Sequence, residues 1–417
     1  MSKQAFFQLL KKEVARIDAI KTSKRNETVI TGFTKDTPPR AIINKKRVLV
    51  FNSNDYLGLR FHPKLIAAEH QASEKFGTGP GAVRFISGTL AVHKELEKSL
   101  AQFHRRDDAI IFSSAFATNV ATLFSLIVGQ SKDSVVDNDV LVISDALNHR
   151  SIIDGIRIAN LASESKAIFE HMNPKDLERI LKENIGKYKR VIAITDGVFS
   201  MLGEIQKLKE IKKVITHYDK LYPQGVLLVV DDAHGIGALG VNGTGSEEVT
   251  DVQADVLIGT LGKALGADGG YVVANQEIID YLRESAATYI YSNSISPGTA
   301  AAATAAIDLL SKKQGKELIT KLNTNISYFK SLVKEHSLQM AADSSHPIQP
   351  LLIGSAEKCQ ALVKALLLKN ILVTSINYPV VAKGNDEIRI QLSANHTKDN
   401  IFELVSALVR LRDEIKF

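Results

Sequence analysis

Short, nearly uninterrupted apolar runs punctuate the middle of the chain: AIIF at 109–112, VLVI at 140–143, RVIAIT at 190–195, VLLVV at 226–230, DVLI at 255–258 and GYVVA at 270–274. Runs of this length, rich in β-branched residues and bounded by polar turns, predict strands buried on both faces. Between them ERILKENIGKY and KEIKKVITHYDKLY repeat their apolar residues every three or four positions, as amphipathic helices do. Strands alternating with helices predict an α/β architecture built on a mostly parallel sheet. Toward the end the pattern changes. TAAAATAAIDLLSKK and NTNISYFKSLVKEHSL read as helical connections, HPIQPLLIG, NILVTSINYP and EIRIQLSA as three strands, and NIFELVSALVRLRDEIKF as a closing helix, which makes a small α+β unit. The amphipathic start, MSKQAFFQLLKKEVARIDAI, predicts a helix. The expected organisation is an N-terminal helical segment over 1–50, a large α/β domain over 51–297, and a linking helix with a small C-terminal α+β domain over 298–417.

Composition narrows the class. With 45% hydrophobic and 24% charged residues over 417 positions, the chain has the balance of an ordinary globular protein. Lys and Arg exceed Asp and Glu by 52 to 46, a net charge of +6, but no basic tract is interleaved with aromatics, so no nucleic-acid partner is expected. A phosphorylated small molecule suits the same excess. The one cysteine, Cys359, excludes an intramolecular disulfide and fits a reducing cytoplasm; its helical context SAEKCQALVKAL favours a packed thiol over a nucleophile. No apolar run reaches the length of a membrane span, and the start lacks a signal peptide's apolar centre. No metal site is expected.

Ligands of open α/β sheets bind beyond the carboxyl ends of the strands, so the polar residues after each run carry the chemistry. VLLVV leads into Asp231, Asp232, Ala233 and His234, then GIGALG. The last six match a dinucleotide fingerprint, yet DDAH separates them from the strand and no helical pattern follows. A strand-end carboxylate with a histidine three residues on points to catalysis, although a structural ion pair would also place an Asp there. DVLI leads into GTLGKALG, where Lys263 sits among small residues. The P-loop pattern fails, and a lysine so placed can approach a cofactor closely and lose hydration, which favours Schiff-base chemistry. FSSAFATN at 112–119 presents free N–H groups at a helix start to an anion, and His149 after the next strand could stack on a flat ring. A lysine, an acid for a ring nitrogen and amides for a phosphate are the three needs of pyridoxal phosphate (PLP).

FNSNDYLGL, VRFISGTLAVHKELE, SDALNHRSIIDGIR, ITDGVFSM, VVDDAHGIG, GTLGKALG, YSNSISP and EIRIQLSA together resemble the α-oxoamine synthases, fold-type I PLP enzymes that condense an amino acid with an acyl-CoA thioester. The resemblance runs from about residue 45 to the C-terminus. Within the family, VRFISGT, TDGVFSM, SNSISP, YPVVAKG and RIQLSANHT are most similar to the glycine C-acetyltransferases, whereas SNDYLGL is shared with the 8-amino-7-oxononanoate and 5-aminolevulinate synthases. The resemblance implies that Lys263 is the Schiff-base lysine, with Thr260 beside it on the phosphate. It gives Asp231 the pyridine nitrogen, His234 the ring hydroxyl and the substrate carbonyl, and His149 the ring face. Backbone amides of Ala115 and Phe116 would hold phosphate, Ser200 would lie near the cofactor, and Ser292 and Asn293 would reach in from a second subunit of a homodimer. Arg389, assisted by Asn54, would pair with the amino-acid carboxylate.

The implied reaction joins glycine to acetyl-CoA and releases CoA. Three departures bear on it. Leu202 stands where relatives carry Asp in Ser-Met-Asp-Gly, GTLAVH at 88–93 replaces GTQDSH, and the loop GADGGY is one residue short. They leave open a decarboxylating synthase of the same family; an aminotransferase or a silent binding protein on the same fold are the further alternatives. GTGPGAVR at 77–84 is a substrate loop or a tight turn.

Overall fold

A computed structural model describes residues 3–19, 23, 25, 27–131, 133–378 and 380–417; Pro379 of YPVVAKG and parts of the N-terminal segment lie outside the described residues. The amphipathic start forms the helix Lys3–Ala19, none of whose residues is buried. The expectation of a helical segment through residue 50 is corrected beyond it. β1 (Gly32–Phe33), β2 (Ala41–Ile43) and β3 (Lys46–Val50) form an antiparallel meander. The turn is made by Asn44 and Lys45 at positive φ, with Ile43 buried before it and Val48 and Leu49 buried after it.

The central sheet holds seven strands: β4 (Asp108–Phe112), β5 (Val140–Asp145), β6 (Lys166–Phe169), β7 (Arg190–Asp196), β8 (Val226–Asp231), β9 (Val256–Thr260) and β10 (Gly270–Ala274), in the order β4-β10-β9-β8-β7-β5-β6. Every apolar run of the middle region is one of these strands. β10 runs antiparallel to both its neighbours, and the other strand pairs are parallel. The exception has a cause. Residues 261–269 are too few for a crossover helix, so the chain leaving β9 must turn straight back. Lys263 lies on that turn.

Helices cover both faces, and two apolar clusters fill the space above and below the sheet. KEIKKVITHYDKLY gives the helix Leu208–Tyr218, and ERILKENIGKY gives the end of Pro174–Glu183, stopped at Asn184. The alanine-rich stretch forms Pro297–Leu310, whose small side chains pack closely on the helices Pro63–Phe76 and Ala91–His104. Helix Lys313–Glu335 then leads to the C-terminal strands β11 (Ile348–Leu352), β12 (Ile371–Leu372), β13 (Thr374–Ile376) and β14 (Glu387–Gln391). NILVTSINYP, expected as one strand, is two: β12 pairs in parallel with β3, and β13 pairs with β14 in the sheet β11-β14-β13. Cys359 is fully buried on the helix Ala356–Leu368, and burial pushes its thiol up to about 12.

Candidate active site

Parallel register brings the strand ends to one edge. Asp196 closes β7 directly opposite Asp231 at the end of β8, and Asp231 in turn faces Ile258 of β9, two residues short of that strand's end. On the other side of the turn, β10 begins at Gly270, paired with both Thr260 and Phe112. Here the residue type matters. A Cβ on Gly270 would lie 2.5 Å from the backbone N of Ala115 and 2.4 Å from Thr118 Oγ1, so glycine lets the helix Ala115–Val128 start against the sheet edge. Ser114 caps that helix by accepting from Ala117 N at 3.1 Å. The N–H groups of Ala115 and Phe116 have no carbonyl one turn back and face outward with the positive end of the helix dipole.

These ends line one partly open cavity. Ala115, Phe116, His149, Ser200, Asp231, His234 and Lys263 all border it. Asp231, 5% exposed, accepts from Ala233 N at 3.0 Å and from Asn119 Nδ2 at 2.5 Å. Asn119 also donates to Ser151 Oγ at 3.0 Å, and that hydroxyl lies 2.7 Å from His149 Nδ1. One chain of hydrogen bonds therefore orients both the acid and the imidazole. Burial lowers the His149 pKa, with Asp231 opposing and Lys263 reinforcing.

Burial lowers Lys263 to about 8, against the pull of Asp231 and Asp196. An amine in that range spends a substantial fraction of its time unprotonated near neutrality. Asp196, also on the cavity wall, is raised well above the carboxylate range by burial and by Asp231 beside it. Burial, then Lys263 and Arg389, hold His234 well below an ordinary histidine, so its ring is neutral. The Tyr56 hydroxyl lies 2.7 Å from His234 Nδ1, and His346 Nε2 lies 2.8 Å from the His234 carbonyl.

The five remaining expected residues stand outside the cavity wall. Thr260 donates to Gly269 O at 3.1 Å and so ties the two ends of the lysine loop. Asn54 accepts from Tyr56 and from Gln391 Nε2. Ser292 and Asn293 border no part of this chain's own cavity. Arg389 is half-buried on β14, bonded to Tyr56, with Nε unpartnered; burial is the main cause lowering its pKa. Tyr56 thus links Arg389 to His234. The GIGALG segment after His234 is a loop with positive φ at Gly237 and Gly240 and opens no helix, which disposes of the dinucleotide reading.

Asn119, Asp196 and Tyr56 were missed from sequence. Asn119 follows Ala115 by one helical turn, and Asp196 extends RVIAIT by one residue, so both spacings were readable. Phe116, which borders the cavity, is exposed, as are Phe85 at 66% and Ile86 on 84–88 and Tyr291 at 71% just after 287–290; the segment 287–290 touches both 84–88 and 115–128.

The family model for class I and II aminotransferases matches residues 46–408. An 8-amino-7-oxononanoate synthase of Bacillus velezensis is 39% identical over 412 residues, 98% of this chain and 98% of its own. The 2-amino-3-ketobutyrate coenzyme A ligase of Escherichia coli K12 is 36% identical over 414 residues, again 98% of each. Serine palmitoyltransferase from S. paucimobilis, solved with bound PLP–myriocin aldimine, superposes with a TM-score of 0.86 at 26% identity and full coverage of both chains. The chain belongs to the class I and II aminotransferases and, within them, to the α-oxoamine synthases, PLP-dependent enzymes that transfer an acyl group from a CoA thioester to an amino acid.

Proposed function

We propose that this enzyme joins glycine to acetyl-CoA, keeps the amino-acid carboxylate in the immediate product and releases CoA. The observation that carries the reading is the shared cavity of Lys263, Asp231 and His234, joined through Tyr56 to an arginine able to grip a carboxylate. The chain's own groups fit PLP. Helix-start amides of Ala115 and Phe116 would hold the phosphate, Asp231 would hold the protonated ring nitrogen, and His149 would face the ring. When bound, PLP supplies the sink for the electron pair left at the amino-acid Cα.

Arg389, with Asn54, holds the carboxylate bidentately, which sets the bond that breaks. With the carboxylate so held, the Lys263 amine would be the base that takes the Cα proton. His234, neutral and steadied by Tyr56, donates to the oxyanion that develops on the thioester carbonyl. Ser200 contacts the cofactor, Thr260 supports the phosphate, and Ser292 and Asn293 complete the phosphate site of a second copy. The exposed apolar side chains of Phe85, Ile86, Phe116 and Tyr291, with Phe116 at the cavity, support a homodimer. A cytoplasmic location fits the single buried thiol.

One observation favours a decarboxylating synthase instead: the oxononanoate synthase relative is 39% identical against 36% for the ketobutyrate ligase. Leu90 and Val92 of GTLAVH add apolar surface, and about 0.8 kcal/mol per buried methylene is enough for a few carbons to reverse a chain-length preference. The deciding assay follows thiol release with glycine, alanine and serine against acetyl, palmitoyl and pimeloyl thioesters, with carboxyl-labelled amino acid. Glycine with acetyl-CoA and no labelled carbon dioxide is the expected result. Prompt enzyme-dependent label loss, or preference for alanine with pimeloyl-CoA, overturns it.

A further inference from the structure

Residues 197–206, between β7 and the next helix, fold back as a small hairpin. Val198 bridges Ile205, Phe199 N donates to Glu204 O at 2.9 Å, and Gln206 N donates to Gly197 O at 3.0 Å. Ser200, at its tip, borders the cavity. The base is pinned where Gly197 N meets Asp231 O at 2.7 Å. Away from the base, His171 meets both legs. Its ring packs edge-on against Phe199 at 4.3 Å between centroids, its Nε2 lies 3.1 Å from Glu204 Oε2, and its Nδ1 lies 2.9 Å from Asp145 Oδ1 at the end of β5.

A neutral imidazole has one N–H and one lone pair, whereas both ring nitrogens here face carboxylate oxygens, which only accept. Two such contacts at hydrogen-bond distance need a proton on each nitrogen. The remaining lone pairs of Asp145 are used by Leu147 N, Met172 N and Gln206 Nε2, so its carboxylate has no spare proton to offer. We propose that His171 is a positioning residue for the active site: its doubly protonated ring is a tie that holds the Ser200 hairpin to the end of β5. The proposal rests on the reading of the cavity as the cofactor site.

The groups facing the ring are Asp145 from β5, Glu204 from the hairpin and the uncharged Phe199 ring. Burial alone would lower the histidine, but the two carboxylates outweigh it and raise its pKa to about 9. A raised histidine stabilises the fold in full below its ordinary value near 6.5, and the contribution is lost as pH climbs through 9. Losing one proton turns one contact into an encounter of lone pairs and frees a leg of the hairpin.

The chain contains no tryptophan, so Leu202→Trp places a single fluorophore at the hairpin tip, and energy transfer to PLP in the holoenzyme reads its position. In that background the signal should hold from pH 7 to 8 and change with a midpoint near 9. Adding His171→Gln should give the loosened signal already at pH 7, with a PLP dissociation constant about tenfold higher. Adding Glu204→Gln offers an amide donor to a neutral ring, so the tied signal should persist through pH 10; this variant decides the matter should the first fail to fold. A transition near 9 that survives either substitution overturns the proposal. Because fluorescence needs no turnover, a wrong substrate assignment leaves this outcome untouched.

Discussion

A lysine near pKa 8 reacts differently from one at its ordinary 10.5. As pH rises through 8, Lys263 loses its proton and becomes nucleophilic, so capture of PLP by apoenzyme should accelerate with a midpoint near 8 and level off well before 10. Stopped-flow absorbance measures it; a rate still climbing through pH 10 contradicts the desolvated amine. Lys263→Ala should lower turnover by at least about a thousandfold, some 4 kcal/mol of barrier, and borohydride reduction of the parent should label Lys263 alone. Asn119→Ala should weaken PLP binding and turnover by about ten- to a hundredfold, because a buried charged acceptor loses a bond of about 1.5–3 kcal/mol. Unchanged binding by absorbance titration would show that Asp231 needs no orientation. The acid was legible because it directly follows an apolar run, and the lysine because it sits among small residues just beyond one. Tyr56 was not, since its role appears only where β14 and the 52–58 loop meet.

At the level of elements, the closeness of β10 to the helix Ala115–Val128 is the sharpest constraint. Gly270→Ala puts a methyl group 2.5 Å from Ala115 N, so the helix start must withdraw. PLP affinity should fall by tenfold or more while pyridoxal without phosphate binds as before, which equilibrium titration with both ligands resolves. The central strands were readable because burial on both faces leaves continuous apolar runs. β6 was not, because KAIF lies at the sheet edge with a single fully buried residue, Phe169. The division of NILVTSINYP escaped for a related reason: an apolar run records burial and not the identity of the strand alongside.

Across the whole molecule, the proposed homodimer would cover exposed Phe85, Ile86, Phe116 and Tyr291. Phe85→Asp with Ile86→Asp should shift sedimentation toward the monomer and reduce activity in parallel, and a fully active monomer would refute shared sites. The pairing of β12 with β3 reaches across the chain as well. Leu49 faces Ile371 in that ladder, although about three quarters of the sequence separates them. During synthesis at about 5–20 residues per second, β3 must wait on the order of tens of seconds for its neighbour to be made. Meanwhile its buried positions Val48 and Leu49 lie along an open strand edge, the kind of surface on which nascent chains associate wrongly. Exposed Lys45, Lys46 and Arg47 stand at the entrance to that edge, where like charge on every nascent copy discourages the mispairing until the partner strand emerges.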